Sequence, residues 1–412
     1  MVILTLNCGS SSIKYSVYDA AAKRFVCKGL VDRVGLNCST LNHAVDGGVV
    51  KLERSCPDHR AAVEMVLEVL CEGKDAVLKD PSHIKGVGHR VVHGGEKFHK
   101  SAQITPELLA AVEEVSELAP LHNPPNLSGI RAAQHHLPAM PHVAVFDTAF
   151  HQTMPPPSFI YALPYEWYEK YDIRRYGFHG TSHLYVSRRA AVVLGRPLDA
   201  LKLVTLHIGN GASAAAISEG KSVDTSMGFT PLEGLVMGTR CGSIDPAIPQ
   251  FVEEHEKVGW EAMDHTLNKR SGLLGITGKF SDRREIQKAA GEGDRRCQLA
   301  IDIETRVLRK YVGAYAAAMG GLDAVVFTAG VGENSAMIRE RVLSGMEFLG
   351  ITLDAQRNAK AVGGKSEDVI STGDSTVKAL VIPTNEELVI AEDTLAILEG
   401  RLDKPGFRYS FE

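Results

Sequence analysis

The chain has 412 residues, of which 44% are hydrophobic and 23% charged, and its formal net charge at pH 7 is −5. A chain of this length is about two to three times as long as a typical domain, so we expect two lobes. The negative net charge provides no overall basic field to attract nucleic acid or anionic lipid. We therefore expect neither a nucleic acid nor a membrane as a partner.

The cysteines and the apolar segments indicate a cytoplasmic protein. The seven cysteines are odd in number and irregularly spaced, without a CxxC pair, which is typical of reduced thiols. Met1 to Leu6 is apolar but short and lacks a basic leader, so we expect no secretory signal. The longest candidate for a transmembrane segment, near residues 314–332, contains Asp323. Sixteen histidines occur without an HExxH motif, so a zinc site is not expected.

Strand-like and helix-like segments alternate along the chain, which favours α/β layers. Thr384 and Glu387 have the spacing of a capping box and mark the expected start of the last helix. Hydrophobic periodicity and prolines predict the other clear helices at residues 58–71, 105–119, 299–319 and 335–348.

One short stretch of the sequence occurs a second time in similar form. LTLNCGSSS at Leu4 reappears as VTLHIGNGAS at Val204, with Leu6 answered by Leu206 and Gly9 by Gly209. Both are apolar strands that stop at a small turn and then continue as a strand. The pattern alone allows two interpretations, a coincidence of hairpin turns or a duplicated domain.

Small turns allow a phosphate to approach the backbone, where N–H groups and hydroxyls act as donors. The first such turn contains Asn7, Ser10, Ser12 and Lys14, and the second contains His207, Gly209, Asn210 and Gly211. A third, TAGVGENS, follows an apolar run and precedes a helix, a setting that presents N–H groups to an anion. The nearest approach to a Walker A motif, SGLLGITGKF, has the wrong glycine spacing, so a nucleotide would bind by another architecture.

Five residues that carry chemistry lie at element ends or in glycine-rich loops. Arg90 precedes a glycine pair, where its guanidinium either holds an oxyanion or forms a surface ion pair. Asp147 is either a turn cap or a site group, and His179 is either a structural hydrogen-bonding residue or a site group. Arg240 lies in a long irregular loop, a type that is often functional. Glu386 either complements a helix dipole or reaches a cation.

Eight motifs occur in order over nearly the full chain: NCGSSSIK, GHRVVHGG, FDTAFH, YGFHGTSH, HIGNGAS, DTSMGFTPLEGLVMGTR, FTAGVGENS and PTNEELVIA. Together they resemble the acetate kinase family, which belongs with sugar kinases, actin and chaperone ATPases. The resemblance implies an α/β fold of two duplicated lobes, each a mixed sheet flanked by helices, with a nucleotide cleft between them. The expected lobes are residues 1–150 plus 385–412 and residues 151–384.

The resemblance also implies an activity. The family transfers a phosphoryl group reversibly between ATP and acetate, with Mg²⁺ (or Mn²⁺), giving acetyl phosphate and ADP, and it forms homodimers. The alternative is a kinase for propionate or another short-chain carboxylate. A non-catalytic actin-like ATPase is disfavoured because a nucleotide switch has no need of the anion clamp that Arg90, His179 and Arg240 would form.

The family pattern assigns roles to four catalytic residues. Arg90 and Arg240 would hold acetate and the transferring phosphoryl group, and His179 would stabilise the transition state. Asp147 would orient an arginine or the attacking carboxylate; because acetate arrives ionised, a general base is not required. Ser243 stands where the family has an aspartate, which leaves the support of Arg240 open.

The same pattern assigns the binding residues. Asn7 and Glu386 would place the metal ion and its waters. Arg90 would bind the acetate itself, and the residues expected to line a small apolar pocket for its methyl group are Val92, Leu121, Phe178 and Pro231. The residues expected to bind the nucleotide are Ser10, Ser12, Lys14, His207, Ile208, Gly209, Asn210, Gly211, Asp282, Arg283, Arg284, Gly330, Val331, Gly332, Glu333 and Asn334.

Overall fold

A computed structural model describes residues 1–364 and 366–412. The chain divides into two compact units, Met1–Phe150 with Asn385–Glu412, and His151–Thr384. Each unit contains one mixed β-sheet with helices against it. The α/β class and the two mixed sheets expected from the sequence are confirmed.

The helices and strands are numbered here in chain order. The strands are β1 (Val2–Cys8), β2 (Ser12–Asp19), β3 (Arg24–Asp32), β4 (Ser39–Val45), β5 (Gly48–Arg54), β6 (Ile84–Val91), β7 (Ala102–Gln103), β8 (His142–Phe146), β9 (Lys202–Ile208), β10 (Ala212–Ser218), β11 (Lys221–Thr225), β12 (Ala324–Thr328), β13 (Asp368–Val369) and β14 (Lys378–Val381). The helices are α1 (His59–Cys71), α2 (Pro106–Glu114), α3 (Asn123–His136), α4 (Pro156–Phe159), α5 (Tyr165–Tyr171), α6 (Gly180–Leu194), α7 (Ala247–Glu256), α8 (Gly259–Lys269), α9 (Gly272–Thr277), α10 (Arg283–Gly291), α11 (Arg295–Ala318), α12 (Ala329–Asn334), α13 (Ala336–Leu343), α14 (Ala355–Lys360) and α15 (Glu386–Leu398). Short 3₁₀ segments lie at Pro81–His83, Val115–Leu118, Ala149–Thr153, Leu198–Ala200 and Glu347–Leu349.

The two sheets repeat one topology. In the first unit the strand order is β5-β4-β3-β2-β1-β6-β8-β7, and in the second it is β11-β10-β9-β12-β14-β13. Each sheet begins with an antiparallel meander, whose first strand is followed by two parallel strands and a short antiparallel edge strand. The similar strands β1 and β9 hold the same position in their sheets. This repeated topology favours the duplicated-domain interpretation over a coincidence of turns.

The C-terminal helix α15 belongs to the first unit, where it packs against β1, β6 and β8. The contact is close because β6 carries a glycine at the crossing. A Cβ atom built on Gly88 would lie 2.4 Å from the hydroxyl oxygen of Thr394 and 2.7 Å from Cγ2 of Ile390. Only glycine therefore lets α15 approach the strand that carries Arg90.

The first two predicted helices are confirmed, and the structure shows a side-chain cap at the start of each. The Asp58 side chain accepts a hydrogen bond from the Ala61 N–H at the start of α1, and Thr105 accepts one from the Leu108 N–H at the start of α2. Both caps satisfy a backbone donor that a helix leaves without an internal partner.

Three predicted helix boundaries are wrong. The helix expected at 299–319 begins earlier, because Asp294 caps α11 through the Cys297 N–H. The helix expected at 335–348 ends at Leu343, just before Gly345, whose φ of +75° interrupts it. The capping box at Thr384 does not form.

The helix α15 starts instead at Glu386. The Thr384 N–H donates to Oε1 of Glu333 at 3.1 Å, and its hydroxyl lies 2.8 Å from that of Ser182. A tertiary contact has thus replaced the local one.

All seven cysteines are free, as the sequence predicts. No helix in the described part of the chain is both long and apolar enough to cross a membrane.

Candidate active site

The first glycine-serine turn is a tight hairpin between β1 and β2. The Gly9 N–H donates to the Ser12 carbonyl at 2.8 Å, and a Cβ atom on Gly9 would lie 3.3 Å from the Ser12 hydroxyl. Asn7 and Lys14 stand opposite each other in the register of the two strands. Lys14 is exposed, as is Ser10 in the turn. The residues predicted for the first turn therefore meet at one end of the sheet.

Arg90 and Asp147 lie beside this turn because β1, β6 and β8 run parallel and end at the same edge. Arg90 Nε donates to Oδ1 of Asp147 at 3.0 Å, and its Nη2 donates to Oδ2 of the same carboxylate. Arg90 Nη1 also donates to Oδ1 of Asn7 at 3.3 Å. Three residues separated widely in sequence thus form one hydrogen-bonded group.

The charges of this group stabilise each other. Burial alone would lower the pKa of Arg90, but the carboxylates of Asp147 and Glu386 raise it. Burial raises the pKa of Asp147, and the guanidinium of Arg90 opposes that effect. Both carboxylate oxygens of Asp147 accept from Arg90. Of the two roles predicted for Asp147, the geometry favours the one that orients an arginine.

The residues predicted to line the acetate pocket differ in exposure. Val92 is 4% exposed, and its N–H donates to Oδ1 of Asn126 at 3.0 Å. Phe178 is also buried, whereas Leu121 is 54% exposed and Pro231 half-buried. Their role as a pocket stays a prediction.

In the second unit, the equivalent turn lies beside Arg240 and His179. The Gly209 N–H donates to the Gly211 carbonyl at 2.9 Å. A Cβ atom built on Gly211 would lie 3.6 Å from Nη1 of Arg240 and 3.7 Å from Nε2 of His179. The structure therefore brings three predicted site residues of this unit together, at a place where glycine leaves space.

Arg240 is a cation without a charged partner in its own unit. Its Nη1 donates to the Pro231 carbonyl at 3.2 Å, and burial lowers its pKa. Among the described residues of the second unit, no carboxylate forms an ion pair with it. A half-buried guanidinium of this kind favours an anionic ligand, since an anion would restore the charge balance.

The loop that carries Arg240 is held by a residue that sequence reasoning missed. Arg175 Nη1 donates to the carbonyls of residues 225–227, and its Nη2 donates to Oε1 of Glu233 at 2.8 Å. Its place beside the YGFHGTSH motif was the only signal in the sequence.

Ser243 closes the same loop at its other end. The Gly234 N–H donates to the Ser243 hydroxyl at 3.1 Å, and the Ser243 N–H donates back to the Gly234 carbonyl at 3.0 Å. The loop before Arg240 is therefore fixed without the aspartate that the family pattern has at this position.

His179 immediately precedes α6 in a left-handed conformation, with a φ of +57°. Its Nδ1 lies 2.8 Å from the Ser213 hydroxyl, and its ring stacks on that of His207 at 4.1 Å between centroids. His207 is held in turn by the Ser182 hydroxyl, 2.8 Å from its Nδ1. A non-glycine residue held in this conformation is often part of a functional site.

A cavity of about 610 Å³ in the second unit is lined by seven of the thirteen nucleotide residues predicted in that unit. It is lined by Asn210, Ser281, Asp282, Arg283, Arg284, Gln287, Gly330, Val331, Asn334 and Ser335. The third glycine turn lies here because β12 runs directly into α12, as the sequence predicts. The volume of the cavity is in the range of small-molecule sites. Sequence reasoning missed Ser281, Gln287 and Ser335, although each lies within four residues of a predicted one.

Other predicted nucleotide residues do not line this cavity. They are His207, Ile208, Gly209, Gly211, Gly332 and Glu333. Ile208 is fully buried, and Oε1 of Glu333 accepts from the Thr384 N–H. Arg283 lines the cavity, but its Nε donates to Glu304 at 2.6 Å and its Nη1 to the Gly209 carbonyl at 2.7 Å. Part of its role is therefore to hold the second turn in place.

Asn7 and Glu386 supply oxygen atoms suited to a hard cation. Among the described residues, no group of three or more histidine, cysteine or acidic side chains is arranged to hold a metal ion directly. The side chains present therefore fit a Mg²⁺ ion that keeps several waters and binds through substrate phosphates, as this ion usually does.

Buried histidines make the stability of the fold depend on pH. Burial lowers the pKa of His151 to about 4, with partial opposition from the Phe178 carbonyl, and it lowers the pKa of His89 and His183 well below the usual value. In the unfolded chain these histidines have a pKa of about 6.5. At a pH between that value and the lowered pKa values of the folded chain, the unfolded chain therefore binds more protons than the folded chain. Stability is therefore complete above about pH 6.5 and decreases as the pH falls below it.

We expect the free energy of unfolding to decrease by about 1.4 kcal/mol per pH unit and per such histidine between about pH 6.5 and 4.5. Urea unfolding at several pH values measures this slope. His151→Gln should reduce it, and the variant of an exposed histidine, His265→Gln, should not. Stability that stays constant from pH 7.5 to 5.5 would contradict the prediction.

Known proteins resemble this chain along its whole length. A family model described as the acetokinase family matches residues 2–392. The chain is 56% identical over 413 residues to an acetate kinase of Trichlorobacter lovleyi, covering 100% of this chain and 98% of the relative.

Two solved structures extend this similarity to the fold. The crystal structure of Porphyromonas gingivalis acetate kinase has 49% identity and a TM-score of 0.92, over 96% of this chain and 99% of that one. The crystal structure of a propionate kinase from Francisella tularensis subsp. tularensis SCHU S4 has 42% identity and a TM-score of 0.88, again over 96% and 99%.

Proposed function

The chain belongs to the acetokinase family, and we propose that it acts as an acetate kinase. The enzyme is a phosphotransferase with a carboxyl group as acceptor, and the reversible reaction converts ATP and acetate to ADP and acetyl phosphate. The observation that carries the proposal is the grouping of Arg240, His179 and Gly211, in which no carboxylate of that unit neutralises the arginine. The identity of the acceptor rests on the full-length similarity to acetate kinases.

Acetate is the nucleophile, and Arg90 holds its carboxylate. A carboxylate oxygen attacks the γ-phosphorus of ATP, and the bond from that phosphorus to the β,γ-bridging oxygen breaks, which leaves ADP. Acetate is ionised at neutral pH, so no residue has to remove a proton. This fits the position of Asp147, whose two oxygens already accept from Arg90 and keep its guanidinium in one orientation.

Arg240 and His179 act on the transferring phosphoryl group. Negative charge on its three equatorial oxygens is stabilised by donors that are already in place, and positioning of this kind supplies most of the catalysis of phosphoryl transfer. The stacked ring of His207 keeps the plane of the His179 imidazole fixed. The nucleotide occupies the cavity of the second unit, next to Arg284, Gly330 and Asn334.

Asn7 and Glu386 would hold a Mg²⁺ ion through water, and the ion would supply positive charge that neutralises part of the phosphate charge. We expect activity to disappear when divalent cations are removed with a chelator and to return with Mg²⁺ or Mn²⁺. Initial rates after exhaustive dialysis against a chelator measure the effect, with Ca²⁺ and K⁺ additions as controls. Full activity in the dialysed enzyme would exclude the metal requirement.

We also propose a cytoplasmic homodimer. The seven free cysteines fit a reducing compartment. The second unit exposes large apolar side chains that a partner copy would cover, among them Trp167 on α5, Phe251 on α7 and Trp260 on α8.

The hydroxamate assay with acetate, propionate and butyrate tests the proposed function. We expect the highest kcat/KM with acetate. A propionate kinase is the second candidate because a solved propionate kinase shares 42% identity with this chain, and it would be indicated by a higher kcat/KM with propionate. ATP hydrolysis without an acyl acceptor would indicate a nucleotide switch and contradict the proposal.

A further inference from the structure

A chain of hydrogen bonds runs from His179 into the core of the second unit. His179 Nδ1 lies 2.8 Å from the Ser213 hydroxyl, which lies 2.7 Å from Nε2 of His183. His183 Nδ1 then lies 2.7 Å from the hydroxyl of Thr205. Ser213, His183 and Thr205 are 0% exposed. The chain arises because His183 follows one helical turn after His179, while Ser213 and Thr205 lie on the adjacent strands β10 and β9.

The Ser213 proton needs one of the two histidines as its acceptor, which limits the chain to two arrangements. His183 is neutral, because burial and then the neighbouring His151 and His207 lower its pKa. A neutral imidazole has one N–H donor and one acceptor nitrogen, and a hydroxyl has one proton. Either Thr205 donates to His183, His183 to Ser213 and Ser213 to His179, or all three donations run in the opposite direction.

Thr205 decides between the two arrangements. If the donations ran from His179 inward, His183 would donate to Thr205 and the Thr205 proton would need another acceptor. Among residues 1–364 and 366–412, no second acceptor lies within hydrogen-bond distance of that hydroxyl. A buried donor without an acceptor costs about 1–3 kcal/mol. The outward direction, in which Thr205 donates to His183, gives the protons of Thr205, His183 and Ser213 an acceptor each.

We propose that Thr205, His183 and Ser213 form a positioning relay, which fixes neutral His179 in the tautomer that carries its proton on Nε2. In this arrangement Nδ1 of His179 accepts from Ser213, so the ring proton lies on the opposite nitrogen. A Cβ atom built on Gly211 would lie 3.7 Å from Nε2 and 3.6 Å from Nη1 of Arg240. His179 therefore presents a hydrogen-bond donor near Gly211, on the side where Arg240 lies, without having to become protonated.

Arg240 and three histidines of the same unit lie around His179 and the residues behind it. The ring of His207 stacks on it from β9, Arg240 approaches it near Gly211, and His183 contacts it through Ser213. His151 lies behind His183, with 5.5 Å between ring centroids. These neighbours are cationic or neutral, so none of them favours an imidazolium at this position.

The inference rests on the proposed function, and Ser213→Ala tests it. At about pH 8.5 we expect this variant to have a kcat about 10- to 100-fold below the wild type, with KM for ATP changed by less than about twofold, since one donor to the transferring group is then lost in about 90–99% of the molecules. At about pH 6 the ratio of wild-type to variant kcat should be at least about threefold smaller, because a protonated imidazole carries a proton on both nitrogens. Ser213→Thr, which keeps the hydroxyl, should lie within about threefold of the wild type.

Ser187→Ala is the matched control. Ser187 is also buried, on α6, but within residues 1–364 and 366–412 its hydroxyl donates to the Leu184 carbonyl alone, so its removal should leave kcat unchanged at both pH values. Equal kcat ratios for Ser213→Ala at the two pH values, or a wild-type kcat at about pH 8.5, would overturn the relay. If Ser213→Ala fails to fold, Thr205→Val removes the innermost donor and should show the same pH dependence. An inactive wild-type chain would refute the proposed function instead.

Discussion

Replacing Arg240 by alanine should lower kcat by about 10³-fold or more, while KM for ATP changes by less than about threefold. The guanidinium is half-buried, without a carboxylate partner among the described residues of its unit, beside His179 and Gly211. Charge that develops during phosphoryl transfer would meet it only in the transition state, whereas the nucleotide cavity is lined by other residues. Steady-state kinetics at saturating acetate and varied ATP separate the two effects.

Arg306→Ala is the control for Arg240→Ala, because Arg306 is an exposed arginine of the same unit on α11. It should have wild-type kinetics. If Arg240→Ala kept the wild-type kcat, Arg240 would be a structural residue of its loop, and the catalytic grouping in the second unit would be wrong.

Removing either partner of the Arg90–Asp147 pair should have the second-largest effect. We expect Arg90→Ala and Asp147→Ala each to lower kcat/KM for acetate by about 10²–10³-fold. The first variant lacks the guanidinium that holds acetate, and the second lacks the carboxylate that orients this guanidinium. Each should also lower the free energy of unfolding by about 3–5 kcal/mol, since a buried partner is left without its counter-charge. The Arg90 side chain is 21% exposed and that of Asp147 is 1% exposed, so water compensates little of this loss.

A double-mutant cycle tests whether the two residues act as one unit. The double variant should be no slower than the slower single variant, because the second substitution removes a group that has already lost its partner. Arg54 and Glu68 provide the matched control, an ion pair of 2.6 Å whose side chains are 41% and 43% exposed. Its loss should cost less than about 1 kcal/mol and leave kcat/KM unchanged. Additive losses for Arg90 and Asp147 would mean that Asp147 does not act through Arg90.

Features that depend on neighbouring residues in sequence could be predicted. The turn at Gly9 and the strand–helix junction after Thr328 both follow from an apolar strand that stops at small residues, and both occur in the structure. The helix cap at Asp58 likewise depends on a donor three residues away. In these places local chemistry and the final fold agree.

Features that depend on residues distant in sequence could not be predicted. Arg90 and Asp147 were separate candidates in the sequence, and their pairing follows only from the parallel ends of β6 and β8. Glu304 gave no signal, because its partner Arg283 lies on another helix. Thr384 has a good capping-box sequence, but the contact with Glu333 takes its N–H. Tertiary contacts outweighed local preference at each of these positions.

The relay behind His179 is a further example. Ser213 lies in an alanine-rich strand, and the sequence gives no reason to connect it with His183 or Thr205. The connection requires that β9 and β10 pair and that α6 packs on β9. The sequence motifs thus indicated His179 as the candidate catalytic histidine, and the fold was needed to show which residues hold it.

The most direct test of the central claim is the fate of the acetate oxygens. Acetate labelled with oxygen-18 in both carboxyl positions is incubated with the wild-type chain, Mg²⁺ and ATP, and the products are followed by phosphorus NMR. Direct attack of the carboxylate on the γ-phosphorus predicts acetyl phosphate with one labelled oxygen bonded to phosphorus, formed in equal amount with ADP. Unlabelled inorganic phosphate as the sole phosphorus product besides ADP would contradict the account, because it would show that water, and not acetate, accepts the phosphoryl group.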